Sequence, residues 1–588
     1  MMIRMNCHGL VRRIWFLVLS GAIIGVRSEV PIATQDGRLA GALEAHITFL
    51  ADDLLEGRAP GSTGHELAVL YVATRFREFG LKPGGESNRW LQSVPLLESQ
   101  RVADGTRFEV TSETGTEVLD YSLDYLASPH FTETEATVSA PLVFVGFGVH
   151  APAQGYDDFA GVDLRGKIAV VLSKAPPKFP ATRLAHFSHP REKTKALVER
   201  GAVGVISVPT PKDLEEAPWP RRVIQSQFPA MRWTLTDGSP SDVYPQSKAS
   251  ITISPAGIGK LFARAPKPFA EILAAAARSE VQSFPTNLTA TLSTKSIHRR
   301  VTSQNVIGVL PGSDPELRGE AVVLTAHLDH QGRGPAVNGD GIYNGAYDNA
   351  IGIGMMLEVA RALAIREPKP RRSVVFTAVT AEERGLLGSD YLANHFPVAA
   401  GRPVANLNLD MVLVTAPTRN FVVLGVEHSS LREPVERAAA RLGIVLKPDP
   451  QPERVTFIRS DQYSFIRRGV PAIFPKAAAD SDRLPVGGIT PEMFLKQYYH
   501  QPGDDLSLPR DAESAVRFIR FIEDVAGQVA DTDAAPQWNP GDFFWGNVWE
   551  TWDTIGRNLP LTVGIERANG VDSEFALQPS TCRDRAAT

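Results

Sequence analysis

Residues 321–330, AVVLTAHLDH, decide the fold. An apolar run rich in β-branched residues, closing on polar ones, reads as a strand buried on both faces of a helix-covered sheet. The same texture recurs outward from it, in VIGVL (306–310), RRSVVFTAVTA (371–381), NLNLDMV (406–412) and VPAIFP (470–475). Between these runs lie helical segments such as IGIGMMLEVARALAIR (351–366), whose spacing sets Ile353, Met356, Leu357, Ala360 and Ala364 on one face. Alternating strands and helices predict an α/β fold, with a mixed, mostly parallel sheet flanked by helices.

Polar residues cluster where these strands end. His327 follows AVVLTA, Glu382 and Glu383 follow SVVFTAVTA, and Asp410 ends NLNL. Open α/β sheets build their sites at strand C-termini, so the topology gathers residues distant in sequence. Asp348, in the glycine-rich NGAYDNAIGIG, and His500, in YYHQPGDD, complete a set of two imidazoles and three carboxylates. That is a ligand set for two zinc ions, with Asp348 as the candidate bridge. Glu382, beside a ligand, is free to act as general base. Asp329, two residues after His327, is expected to hold the free N–H of that imidazole, and Asp504 is expected to play a similar supporting part. His330 is expected on the face opposite His327. A single strand-end Asp or buried His is more often structural; five in such contexts are hard to assign to chance.

The rest of the 588-residue chain bounds the reading. A net charge of −5 gives no hint of nucleic acid as a partner. Residues 1–28 read as a signal peptide: Arg4, Arg12 and Arg13 precede the apolar IWFLVLSGAIIGV, with Val26-Arg27-Ser28 at the cleavage region. Cleavage there leaves a mature charge of about −9 and no stable membrane insertion, in the periplasm or outside the cell; a signal anchor is the competing reading. Cys7 and Cys582 are the two cysteines, so the mature chain forms no internal disulfide. LAGALEAHITFLADDLLEGR and HELAVLYVATRFREFGLKP predict two amphipathic helices, the second with Leu67, Leu70, Tyr71, Thr74 and Phe79 on its apolar face. His186 and His189 in AHFSHP read as a surface loop. After about 535 the chain turns aromatic, with Phe543, Phe544, Trp545, Trp549 and Trp552 expected to staple the tail to the body.

At its metal-site motifs the chain resembles the co-catalytic di-zinc aminopeptidase family, which includes bacterial leucyl aminopeptidase, glutamate carboxypeptidase II and glutaminyl cyclase. The carriers are His327-Leu328-Asp329, Asp348-Asn349, Glu382-Glu383, Asp410 and Tyr499-His500-Gln501-Pro502. FVGFGVHAPAQGYDDFAGVDLRGKIAVVL and KALVERGAVGVISV are similar to a protease-associated domain, which in that family lies outside the metal site and shapes access or contacts. The resemblance implies one zinc on His327, Asp348 and Asp410, the other on Asp348, Glu383 and His500, and Glu382 as general base. It also implies a zinc exopeptidase-like fold with an inserted β-rich α/β domain. The expected organisation is a signal peptide (1–28), the first part of the peptidase domain (29–135), the insert (136–292), the main metallopeptidase domain (293–535) and an aromatic extension (536–588). One departure is Gln462 in RSDQYSF, where relatives often carry His. The implied activity is aminopeptidase action on peptides. A carboxypeptidase or dipeptidase on the same core, a glutaminyl cyclase, and an inactive binding protein are the alternatives.

Overall fold

The computed structural model describes residues 35–478 and 488–545. The expected signal segment, Cys7, Cys582, Trp549 and Trp552 lie outside the described residues.

The strand Glu320–His327 runs parallel to Ser373–Val379 on one side and to Arg402–Asn408 on the other, with Ala472–Ala478 parallel beyond the latter. Antiparallel strands extend both edges. Phe284–Leu310, Leu91–Arg101 and Ala230–Trp233 follow beyond Ser373–Val379, and Asn420–Leu424 follows beyond Ala472–Ala478. The period of two explains why the central strands are apolar throughout. Val322 and Leu324 pack with Leu43, Met356 and Phe518 of the helices Gln35–Leu50, Ile351–Ile365 and Ala512–Asp531. Val323 packs the opposite way, with Ile307, Val375, Leu392 and Phe465. Each such buried aliphatic side chain contributes roughly 1.5–3 kcal/mol relative to exposure. Helix Ile351–Ile365 is buried on all sides from Ile351 to Ala360, more completely than its one-face pattern implies, because two other helices cover it.

The N-terminal segment departs from its pattern twice. The first helix stops at Leu50, and DLLEGR forms a tight 3-10 turn in which Gly57 and Arg58 take positive φ. Gly57 is required there: a Cβ would lie 2.3 Å from the Tyr343 carbonyl oxygen. The second helix, Thr63–Glu78, buries His65, Ala68, Val69, Val72 and Phe76, while Leu67 and Leu70 face solvent. Its near-continuous apolar run offers two faces at helical spacing, and the buried one carries Ala68, Val69, Val72 and Phe76, with Gly308 lying under Phe76.

A second sheet shares the 27-residue strand Phe284–Leu310. It includes Glu135–Phe144, Ile168–Leu172, Gly204–Val208 and Ala249–Ile253, around its own core of Phe108, Phe144, Val170 and Ile251. Strands Arg107–Ser112 and Tyr125–Ala127, before residue 136, also pair in this sheet, whereas Ala230–Trp233 pairs in the main one. The sheets thus exchange segments across position 135/136: Arg107–Ser112 pairs with the shared long strand, Tyr125–Ala127 with Ala249–Ile253, and Ala230–Trp233 with Leu91–Arg101. His186 and His189 are not in a surface loop: His186 lies in helix Ala181–Ser188, and His189 accepts from Arg191 N as the cap of Pro190–Val198. At the C-terminal side, Phe544 is fully buried against His428, Phe457 and Trp538 and staples the chain as expected, whereas Trp545, expected to do the same, is exposed. No helix among the described residues is long and apolar enough to cross a membrane.

Candidate metal centre

The strand ends deliver the expected residues to one place. His327 closes its strand with Nε2 3.1 Å from Asp348 Oδ1 and 3.4 Å from Asp410 Oδ1. Across Asp348, the Nε2 of His500 lies 3.4 Å from Asp348 Oδ2 and 2.9 Å from Glu383 Oε2. Asp348 therefore faces one imidazole with each oxygen, as a bridge requires.

Buried hydrogen bonds hold these side chains. Asp504 accepts from the amides of Tyr347 and Asp348 at 2.9 and 3.0 Å, fixing the turn that carries the bridge. Asn349 donates to the Leu409 carbonyl and accepts from Met411 N, tying that turn to Asp410. Ser460 donates to Asp410 Oδ2 at 2.5 Å. Gln462 is fully buried, accepting from Asn408 and donating to the Phe457 carbonyl, so its amide fills a structural position beside the centre.

Two expectations change, those for Asp329 and His330. The imidazole of His327 meets the backbone carbonyl of Asp329, at 3.1 Å from Nδ1, and not its carboxylate. That carboxylate accepts instead from the amides of Glu382 and Glu383. The Glu pair sits on a turn after the strand, opened by Ala381 at φ 54°, so strand alternation does not separate the two side chains. For the same reason His330, beyond the end of its strand, is not turned away: its Nδ1 lies 2.6 Å from Glu383 Oε1, and Gln331 donates to Glu383 Oε2.

Two residues escape a reading of the motifs. Arg58, from the N-terminal turn, is fully buried and donates to the carbonyls of Leu50, Leu328, Asn344 and Gly345. The signal for it was the glycine beside it, which breaks the helix. Gln225 lies within the segment expected to stay outside the metal site, yet its amide is 3.1 Å from His500 Nδ1. Nothing in its local sequence marks it.

The electrostatics are those of a cation site. Burial alone would raise the Asp348 and Glu383 carboxyls, but facing imidazoles outweigh it and hold both well below the usual range. Burial pushes Asp504 up to about 7 and Asp329 to about 6, and pushes Glu382 well above the ordinary carboxylate value. Burial lowers Arg58 to about 10, against the pull of Asp329, Asp504, Asp348 and Glu383. Three buried atoms of the centre, His327 Nε2, Asp410 Oδ1 and His330 Nε2, have no hydrogen-bond partner. Ligand atoms of His327, Asp348 and Asp410 lie within 4.8 Å of one another, as do those of His330, Asp348 and Glu383. Unpartnered nitrogen and oxygen atoms converging beside the Asp348 carboxylate fit metal ions. The centre opens into a cavity of about 1170 Å³, lined by Glu382, Glu383, Asp410, Tyr499 and His500 and, across from them, by Arg221 and Gln225.

Residues 305–524 match Peptidase family M28. The chain carries an M28 peptidase domain. All the expected metal and base residues of that domain fall within the matched segment, whereas Arg58 and Gln225 lie outside it. Over 222 residues the chain is 29% identical to a protein named probable leucine aminopeptidase 2 from Aspergillus fumigatus, covering 36% of this chain and 41% of that one. It is 27% identical over 214 residues to leupeptin-inactivating enzyme 1 of Streptomyces exfoliatus, covering 35% and 44%. The chain thus spans less than half the length of these curated relatives. Among solved structures, it is similar to an aminopeptidase from Aneurinibacillus sp. strain AM-1, with 21% identity, a TM-score of 0.49 and coverage of 85% and 94%.

Proposed function

We propose that this chain is a two-zinc exopeptidase that removes N-terminal residues from peptides. The observation that carries the reading is Asp348, whose two oxygens each face a different imidazole inside the M28 domain. His327, Asp348 and Asp410 would hold one zinc, and Asp348, Glu383 and His500 the other. His500 is preferred over His330 because it lines the cavity. The name of one curated relative, probable leucine aminopeptidase 2, points the same way.

Bound there, the zinc ions would supply Lewis acidity toward water and the scissile carbonyl. Glu382, raised by burial and lining the cavity, takes the proton of the attacking water at its carboxylate and passes it to the leaving amine. Asp329 holds the backbone of the Glu pair, so the base stays aimed while Glu383 stays on the metal side. Of the two tyrosines, Tyr499 lines the cavity and lies against His500, whereas Tyr498 packs on Phe494. Export through residues 1–28 and a protease-associated insert belong to the same proposal. Mass determination of the secreted chain tests the first.

The deciding experiment incubates the zinc-loaded protein with a peptide and its N-acetylated twin and identifies products by mass spectrometry. Stepwise loss from the free N-terminus alone supports the aminopeptidase. Release from the C-terminus, or cleavage of both peptides, overturns it in favour of another peptidase on the same core. No cleavage moves weight to a cyclase or a binding protein.

A further inference from the structure

Helix Trp219–Gln225 lies outside the M28 segment, yet it grips the chain that carries His500. Arg221 donates to the carbonyls of Leu495 and Lys496. One turn further on, the Gln225 amide meets His500 Nδ1 at 3.1 Å, while the other ring nitrogen faces Glu383 and Asp348. We propose that Gln225 is a positioning residue that fixes the tautomer and orientation of His500 for the second zinc. The inference rests on the two-zinc reading.

The argument is one of proton placement. An imidazole that offers its Nε2 lone pair to a metal carries its proton on Nδ1, and that N–H needs an acceptor. The two ends of a glutamine amide are isosteric, so a half-turn about its last side-chain bond presents Oε1 to the ring. Among the described residues the Gln225 side chain has no other hydrogen-bond partner, so nothing opposes that turn. His327 needs no such help, because the Asp329 carbonyl, from its own domain, serves its Nδ1. The two zinc sites therefore differ in origin. One is complete within the M28 domain, and the other is completed by a helix from outside it.

Zinc affinity tests this without relying on turnover. The full chain and its Gln225→Leu and Gln225→Glu variants are titrated with zinc against a competing fluorescent chelator. Losing an outer partner of a ligating histidine typically costs roughly 10–100-fold in metal affinity. Gln225→Leu is expected to weaken one ion by that factor and leave the other unchanged. Gln225→Glu, which keeps an acceptor on the ring, is expected to restore the weakened ion. Two ions bound by Gln225→Leu as tightly as by wild type overturn the proposal. Equal weakening by Leu and Glu also overturns it, by assigning Gln225 to packing alone. A wild-type chain that binds fewer than two ions overturns the two-zinc reading itself, a result visible before any variant is made.

Discussion

The two halves of the candidate centre are built differently. The His327–Asp410 half rests on the ends of two paired parallel strands. The Glu383–His500 half rests on turns: Glu383 follows Ala381 at φ 54°, and His500 itself has φ 53°. Its carboxylate is already engaged by His330 and Gln331, and its imidazole by Gln225. A rigid sheet fixes ligands with few helpers. A ligand on a turn needs side chains from elsewhere to hold it, and so becomes sensitive to elements distant in sequence.

The largest expected effect lies between the halves. Glu382→Gln should lower kcat by about 10²–10⁴-fold while two zinc ions stay bound, read by steady-state kinetics and metal analysis; full activity would break the assignment of the base. Asp348→Ala should weaken both ions beyond the roughly 10–100-fold typical of an outer partner. Retention of one ion at wild-type affinity would show that the halves do not share a bridge. Arg58→Met leaves four buried carbonyls without their charged donor, and denaturant unfolding should register a loss of about 3 kcal/mol. The comparison is sharpened by a matched pair of smaller changes. Ser460→Ala should loosen only the ion on Asp410, and Gln331→Leu only the ion on Glu383, each by roughly tenfold. A shared loss from either change would mean that the halves respond as one unit.

The second sheet offers a contrast in pH. Burial pushes Lys193 down from 10.5 to about 7. Between those values the unfolded chain binds more protons than the folded one, so stability should rise with pH, by at most about 1.4 kcal/mol per unit. The window above pH 7 also clears Asp158, which burial raises to about 6. Chemical denaturation followed from pH 7.5 to 9.5 should show the slope in wild type and its loss in Lys193→Met.

The central strands and the strand-end ligands were legible because burial on two faces and a polar terminus leave a local mark. The buried face of helix Thr63–Glu78 was not, since a nearly continuous apolar run fits the helical period in more than one phase and only the partner surface selects among them. The role of Asp329 was legible as support and misread in its target, because its carboxylate is claimed by two amides that arrive from residues 382 and 383. His330 was misplaced by extending strand alternation past the end of the strand.

The sequence by itself determined the α/β sheet and placed five ligand candidates and a candidate base, all of which depend on local pattern and on topology shared by open α/β sheets. Tertiary structure alone decided that Arg58 anchors the loops beneath the centre and that Gln225 meets His500. Each contact joins segments more than 250 residues apart, and the residue types involved are common on any surface. Chain folding brings them to the centre, where the contacts they make turn an ordinary arginine and glutamine into parts of it.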